Sequence, residues 1–249
     1  QLEDPAEAKK RGSKSIVQRG VVRVVTPGTL TEEGLLDART ANRLAAAAFA
    51  GDMAGIAWAD VSTGAFEARV LKASEVEEEL AALAPAELLV VDADSALVAE
   101  AARIAGATVT TRPAVKADVK SAERRIKAAF EVAALDAFGD FTPPELSAMG
   151  LLLDYIELTQ AGAAPRLTPP RRNAERAFMA IDAATRAALE IERSVRGGRD
   201  GSLLACIDRT VTSAGGRLLA ERISRPLTDV GAIRARLDAV EFFISEPHR

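Results

Sequence analysis

The chain has 249 residues, 48% hydrophobic and 27% charged, which suits about two domains with cores of their own. One Cys, Cys206, and one His, His248, exclude an internal disulfide and a Cys/His zinc site within a single chain, and suit a reducing cytoplasm. No apolar run approaches the roughly 18–20 residues that span a bilayer, and the opening QLEDPAEAKKRGSK has no apolar signal-peptide core.

Residues 1–25 read as the tail of a preceding domain. There is no initiator Met, and IVQRGVVRVV (Ile16–Val25) is a strand in need of upstream partners, ended by the turn residues Thr26-Pro27-Gly28-Thr29. From about Leu30 the periodicity is loose: Leu35, Leu36, Leu44 and Phe49 stand among polar residues, and the Ala run fits helix or loop. AGIAWAD (Ala54–Asp60) and AFEARVL (Ala65–Leu71) are strand-like and joined by Val61-Ser62-Thr63-Gly64, a hairpin signature. SEVEEELAAL predicts a helix with Ser74 as N-cap and Glu77 completing a capping box. ELLVVD (Glu87–Asp92) is a short buried strand, Ala93–Ala105 a helix, Thr108–Thr111 a strand, and Ser121–Leu135 a helix capped by Ser121. Strands alternating with helices predict an α/β domain.

Thr142 then caps a long helix with Pro in its first turn. AGAAPRLTPP reads as a linker, followed by an extended run to Met179-Ala180-Ile181. Asp182 caps a helix in which Ala184, Ala188, Ile191 and Val195 recur at helical spacing, and GGRDG ends it. Two helical stretches follow, the second stopped by Pro226. Asp229 caps a last helix carrying the stripe Val230, Ile233, Leu237, Val240 and Ile244.

The net charge of −4 is segregated. Residues 1–25 carry six Lys/Arg against three Asp/Glu, residues 26–165 eleven against twenty-two, and residues 166–249 fifteen, all Arg, against eleven. The acidic middle is a poor surface for duplex DNA, whose phosphates demand cations. The basic flanks permit such contact, although a solvated face is the simpler reading for them and for Arg171, Arg172 and Arg176.

Motifs that carry chemistry are scarce. No G-x-x-x-x-G-K-[ST] loop occurs, and Gly197–Gly201 follows a helix rather than a strand, so it reads as a helix-ending turn. Asp60, Glu67 and Asp92 lie on or beside neighbouring strands, where carboxylates can hold two divalent ions for phosphodiester hydrolysis. The plainer reading is solvated strand-end carboxylates. Ser62 and Cys206 are nucleophiles by type alone, without a nearby His. Cys206 reads as a small core residue, and Trp58 and Phe66 as sheet packing.

Several segments, in order, resemble the MutS family of bacterial DNA mismatch-recognition proteins: QLEDPAEAKKRG with VVRVVTPGTLTEEGLLD, GIAWADVSTGAFEARV, AMGLLLDYIELTQ, MAIDAATRAALEI, and GSLLACIDRTVTSAGGRLLAERISRPLTD. The resemblance implies that residues 1–25 end the mismatch-binding domain and 26–164 form the connector, an α/β domain of ribonuclease-H-like fold. Residues 165–249 would begin the all-α core or lever domain. It also implies a part in coupling mismatched double-stranded DNA to ATP-driven switching, in recruiting MutL, and in a MutS homodimer in the cytoplasm. The family's ATP and Mg belong to a site outside this chain. Its Phe-x-Glu mismatch wedge and its nucleotide loop have no counterpart here, so no catalytic, cofactor or metal residue is carried over. The chain is then expected to perform no reaction itself, with the acidic middle moving as a rigid body on hinges near Thr26–Leu30 and Ala161–Pro170. The alternative is a metal-dependent nuclease of ribonuclease-H type using Asp60, Glu67 and Asp92; a third reading is a free-standing adaptor with no DNA role.

Overall fold

A computed structural model of the chain describes residues 9–10, 20–21, 23–31, 41–160, 166–173, 178–179 and 181–245. The first long element is the alanine run. Arg43–Ala50 (RLAAAAFA) is strand β1, paired antiparallel with β2 (Met53–Asp60), which pairs antiparallel with β3 (Ala65–Lys72). Helix or loop is therefore the wrong expectation for this run. The two-residue Gly51-Asp52 turn, with Gly51 at φ +61°, closes a hairpin, and pairing on both sides overrides the helical preference of Ala.

β4 (Glu87–Val91) pairs parallel with β1, and β5 (Thr108–Arg112) parallel with β4. The short β6 (Arg171–Arg172) pairs parallel with β3, giving the order β5-β4-β1-β2-β3-β6. Residues 166–173, read from sequence as linker and the start of an extended run, thus lie along the sheet edge. Thr168 N donates to Gly64 O at 2.7 Å and Asn173 N to Ala68 O at 2.8 Å.

Both faces of the sheet are covered, as the strand period of two requires. Ala45, Ala47, Ile56, Trp58, Leu88 and Val90 face α1 (Val76–Leu83) and α2 (Ser95–Ala105). Leu44, Ala46, Ala57, Ala59, Phe66 and Leu89 face α3 (Val119–Ala129) and α4 (Pro143–Gln160). Small residues let these layers close in. A Cβ on Gly55 would lie 2.2 Å from the Pro144 carbonyl of α4, and one on Gly150 of α4 2.3 Å from the Ala122 Cβ of α3.

Some local expectations change. Ser74 does not cap α1, which starts at Val76; the Glu75 carboxylate instead accepts from Lys72 N at 3.0 Å. Asp118, not Ser121, caps α3 by accepting from Ser121 N at 2.8 Å, and that helix stops at Ala129, before the left-handed Glu131. Thr142 and Glu145 do close the start of α4, with Thr142 N donating to Glu145 Oε2 at 2.7 Å.

Half of the strand expected at Ile16–Val25 falls outside the described residues. Within its described part, Gly20, Val21 and Arg23–Val25, Val24 N donates to Thr159 O at the end of α4. Leu35 and Leu36, and residues 161–165 of the expected hinge, also lie outside the described residues.

The helical region holds α5 (Ala183–Ala188), α6 (Leu203–Ile207), α7 (Ser213–Ser224) and α8 (Val230–Ser245). Asp182, Ser202 and Thr212 cap the first three through their side chains, and Asp229 Oδ1 accepts from Ala232 N at 2.7 Å. α5 is shorter than its periodicity suggests. Glu190 turns left-handed at φ +46°, and its carboxylate accepts from Val195 N; Ser194 N then donates to Gly198 O, closing the turn through Gly197.

Candidate functional site

The residues that most tightly join the two regions converge on Glu79 of α1. This buried carboxylate accepts from Arg69 of β3 at 2.5 Å and from Arg225, just past the end of α7, at 2.7 Å. The Arg225 guanidinium lies 5.3 Å from the Trp58 ring centroid and 4.6 Å from that of Phe178. It is 6% exposed, so a charge on the helical region is sunk into the sheet unit. Such an arrangement holds because hydrogen bonds and two rings replace lost water. Only Arg presents both a planar face for the rings and a fork for the carboxylate.

Flanking contacts extend the joint. Arg43 of β1 donates to Leu83 O at 2.9 Å and reaches Glu221 of α7 at 3.8 Å. Arg186 of α5 donates to Ser224 O at 2.7 Å, which fixes the end of α7 where Arg225 departs. Pro226 and Leu227 then meet Met179 and Phe178 in a short bridge, so the ring over Arg225 is itself held.

A second buried carboxylate, Glu87 of β4, gathers four neutral donors: Thr26 Oγ1 at 2.6 Å, Gly28 N at 3.0 Å, Thr110 Oγ1 at 2.7 Å and Tyr155 Oη at 2.7 Å. Burial, then the bond to Glu87, pushes the Tyr155 hydroxyl above its usual value. The Thr26–Leu30 segment, expected to be a hinge, is fastened here, and Gly28 and Thr29 are buried. Gly28 must lack a side chain, since its Cβ would sit 2.7 Å from Leu44.

Asp154 of α4 forms a third cluster with Arg112, Lys116 and Arg125, at 2.7, 2.9 and 2.9 Å. Burial would raise its carboxyl, but the bonds from Arg112 and Lys116 and the charge of Arg125 outweigh that and hold it below the usual aspartate value.

The carboxylates weighed for nuclease chemistry do not come together. Asp60 is level with Arg43 and hence with the Glu87 end of β4, whereas Asp92 follows the other end, about 16 Å away along the strand direction. Asp60 Oδ1 accepts from Ser62 N, Ser62 Oγ and Thr63 N at 2.9, 2.6 and 3.2 Å, a turn-holding role that occupies Ser62 as well. Glu67 accepts from Asn173 Nδ2 at 2.7 Å and pins the β6 edge. Among the described residues, no group of three or more His, Cys, Asp or Glu is placed to hold a metal ion.

Cys206 is exposed, not a core residue as expected, whereas Trp58 and Phe66 are buried in the sheet's two faces. Arg172 pairs with the buried Glu145 at 3.0 Å, and Arg171 is exposed. Arg176 and His248 lie outside the described residues. Sequence reasoning missed Glu79, Glu87 and Arg225. A Glu opening the otherwise apolar ELLVVD strand was a usable signal for Glu87; Glu79 and Arg225, 146 positions apart, gave none.

Two family models match: MutS domain II over residues 42–168 and MutS domain III over residues 184–249. The chain belongs to the MutS family. It is 53% identical to the DNA mismatch repair protein MutS of Caulobacter vibrioides over 98% of its length, and 52% identical to that of Paracoccus denitrificans over 99%. It spans 27% and 28% of those relatives' lengths. Glu79 falls in the stretch matched by MutS domain II and Arg225 in that matched by MutS domain III, so their ion pair joins the two MutS domains. Among the described residues, no helix is long and apolar enough to cross a membrane.

Proposed function

We propose that this chain is the mechanical coupling element of a cytoplasmic MutS protein, relaying between mismatched double-stranded DNA and ATP-driven switching, and that it performs no reaction itself. The observation that carries this reading is the Arg225–Glu79 joint, a desolvated charge contact between the stretches matched by MutS domains II and III. A contact of this kind is either fully made or costly to leave open, which suits a switch between two discrete arrangements. The sheet order, with β2 alone running against its neighbours, supports a ribonuclease-H-like connector. Helices α5 to α8 support the start of an all-α lever. ATP and Mg act in the full-length protein outside this segment, and MutL recruitment and the homodimer are partnerships of that assembly.

The test uses full-length MutS carrying these 249 residues. Arg225→Met is expected to leave ATP hydrolysis within about twofold while weakening ATP-triggered release from a G·T duplex by more than tenfold. Arg225→Lys should recover little, because a point charge cannot replace a stacked fork. Normal release in both variants would refute the coupling role. The 249-residue chain alone is expected neither to hydrolyse ATP nor to prefer a G·T over a matched duplex.

A further inference from the structure

A cleft of about 780 Å³ opens where α5, α7 and the Arg193–Arg199 loop meet the Asn42–Arg43 end of β1. That volume lies within the range of small-ligand sites. Five arginines line it, among them Arg43, Arg186 and Arg199, against two carboxylates, Glu192 and Glu221. Three lining residues hold buried donors with no acceptor among the described residues: Asn42 Nδ2, Arg186 Nε and Arg199 Nε. Folded proteins leave few such groups unmatched, and each calls for a partner. Arg186 spends Nη1 on Ser224 O, and Arg199 spends Nη2 on Asp208, so each guanidinium fork is only part used. Burial lowers the affinity of Arg43 and Arg186 for their protons, with Glu221 and Glu192 offsetting this only in part; an arriving anion would relieve it.

We propose that this cleft binds a small phosphate-bearing anion, held by Asn42, Arg43, Arg186 and Arg199. Guanidinium forks match the paired oxygens of a phosphate, and the carboxamide supplies a neutral donor beside them. A volume of about 780 Å³ suits a ligand the size of pyrophosphate, free or as part of a nucleoside diphosphate.

Isothermal titration of the 249-residue chain with inorganic pyrophosphate, and separately with a nucleoside diphosphate, tests this. One saturable site is expected with at least one of the two. Equal affinities would assign recognition to the phosphates alone, and a tighter nucleoside diphosphate would add the nucleoside. Asn42→Ala and Arg186→Lys are each expected to weaken binding at least tenfold, with Arg103→Lys, whose exposed guanidinium pairs with Glu100 outside the cleft lining, as an unchanged control. Thermal melts establish that each variant is folded, and Asn42→Ala removes no charge, so it carries the test should Arg186→Lys fail to fold. Absence of saturable binding, equal weakening by Arg103→Lys, full affinity in the folded cleft variants, or binding of duplex DNA alone would overturn the proposal.

Discussion

The sheet unit and the helical region use their apolar residues in opposite ways. β1, β2 and β4 bury nearly every side chain between two helical layers, so the unit closes its own core. α8 buries none of its residues, and Val230, Leu237, Phe243 and Ile244 stand 59–74% exposed. A layer sandwich is stabilised locally and cooperatively, whereas a helix with an open stripe takes its position from whatever else it touches. Between the two regions, position is set by a few desolvated polar contacts around Arg225 rather than by a shared apolar core.

Substitutions sharpen the contrast, and the largest effect belongs to the sheet. Gly55→Val drives a branched side chain into the backbone of α4, and urea denaturation is expected to show a loss of about 3 kcal/mol or more. Arg225→Met strands Glu79 with only Arg69 for charge, and a cost of roughly 3 kcal/mol is expected. That loss should appear chiefly as hydrogen exchange in α7 while β1 and β2 stay protected; uniform deprotection would erase the proposed division. Asp154 gives a pH signature. Its folded-state carboxyl titrates below the usual 3.8, so its contribution is complete above that value and is lost as pH falls through the folded value. Asp154→Asn should flatten the acid limb of stability below pH 4, and an unchanged limb would deny the three cations their role. Least affected is Leu237→Glu on α8, expected within about 0.5 kcal/mol for the 249-residue chain because that position is solvated.

How much was legible in sequence follows the same division. β2 to β5 were readable because β-branched and aromatic residues alternate between turn signals, and the caps at Asp182 and Asp229 because they depend on a few adjacent residues. β1 was hidden because alanine's intrinsic preference opposes the structure it adopts; only the Gly51-Asp52 turn, read together with the next strand, gave it away. α5 ended early because Glu190 and the following loop make contacts that periodicity cannot represent. The joint was invisible for a stronger reason. Glu79 sits among Glu77 and Glu78 and looks like ordinary first-turn acid, and Arg225 looks like an ordinary base following a helix end. Only the fold brings them across 146 residues.

The Glu87 node has one more consequence. Thr26 and Gly28 reach it from the segment leading into the sheet, Tyr155 reaches it from α4, and Val24 is bonded to Thr159 one helical turn further on. The start of the unit and its last long helix are therefore moored to the same corner. A tug on the chain ahead of residue 24 loads the tail of α4 and the Glu87 end of β4 together, much as two ropes tied to one cleat share every strain.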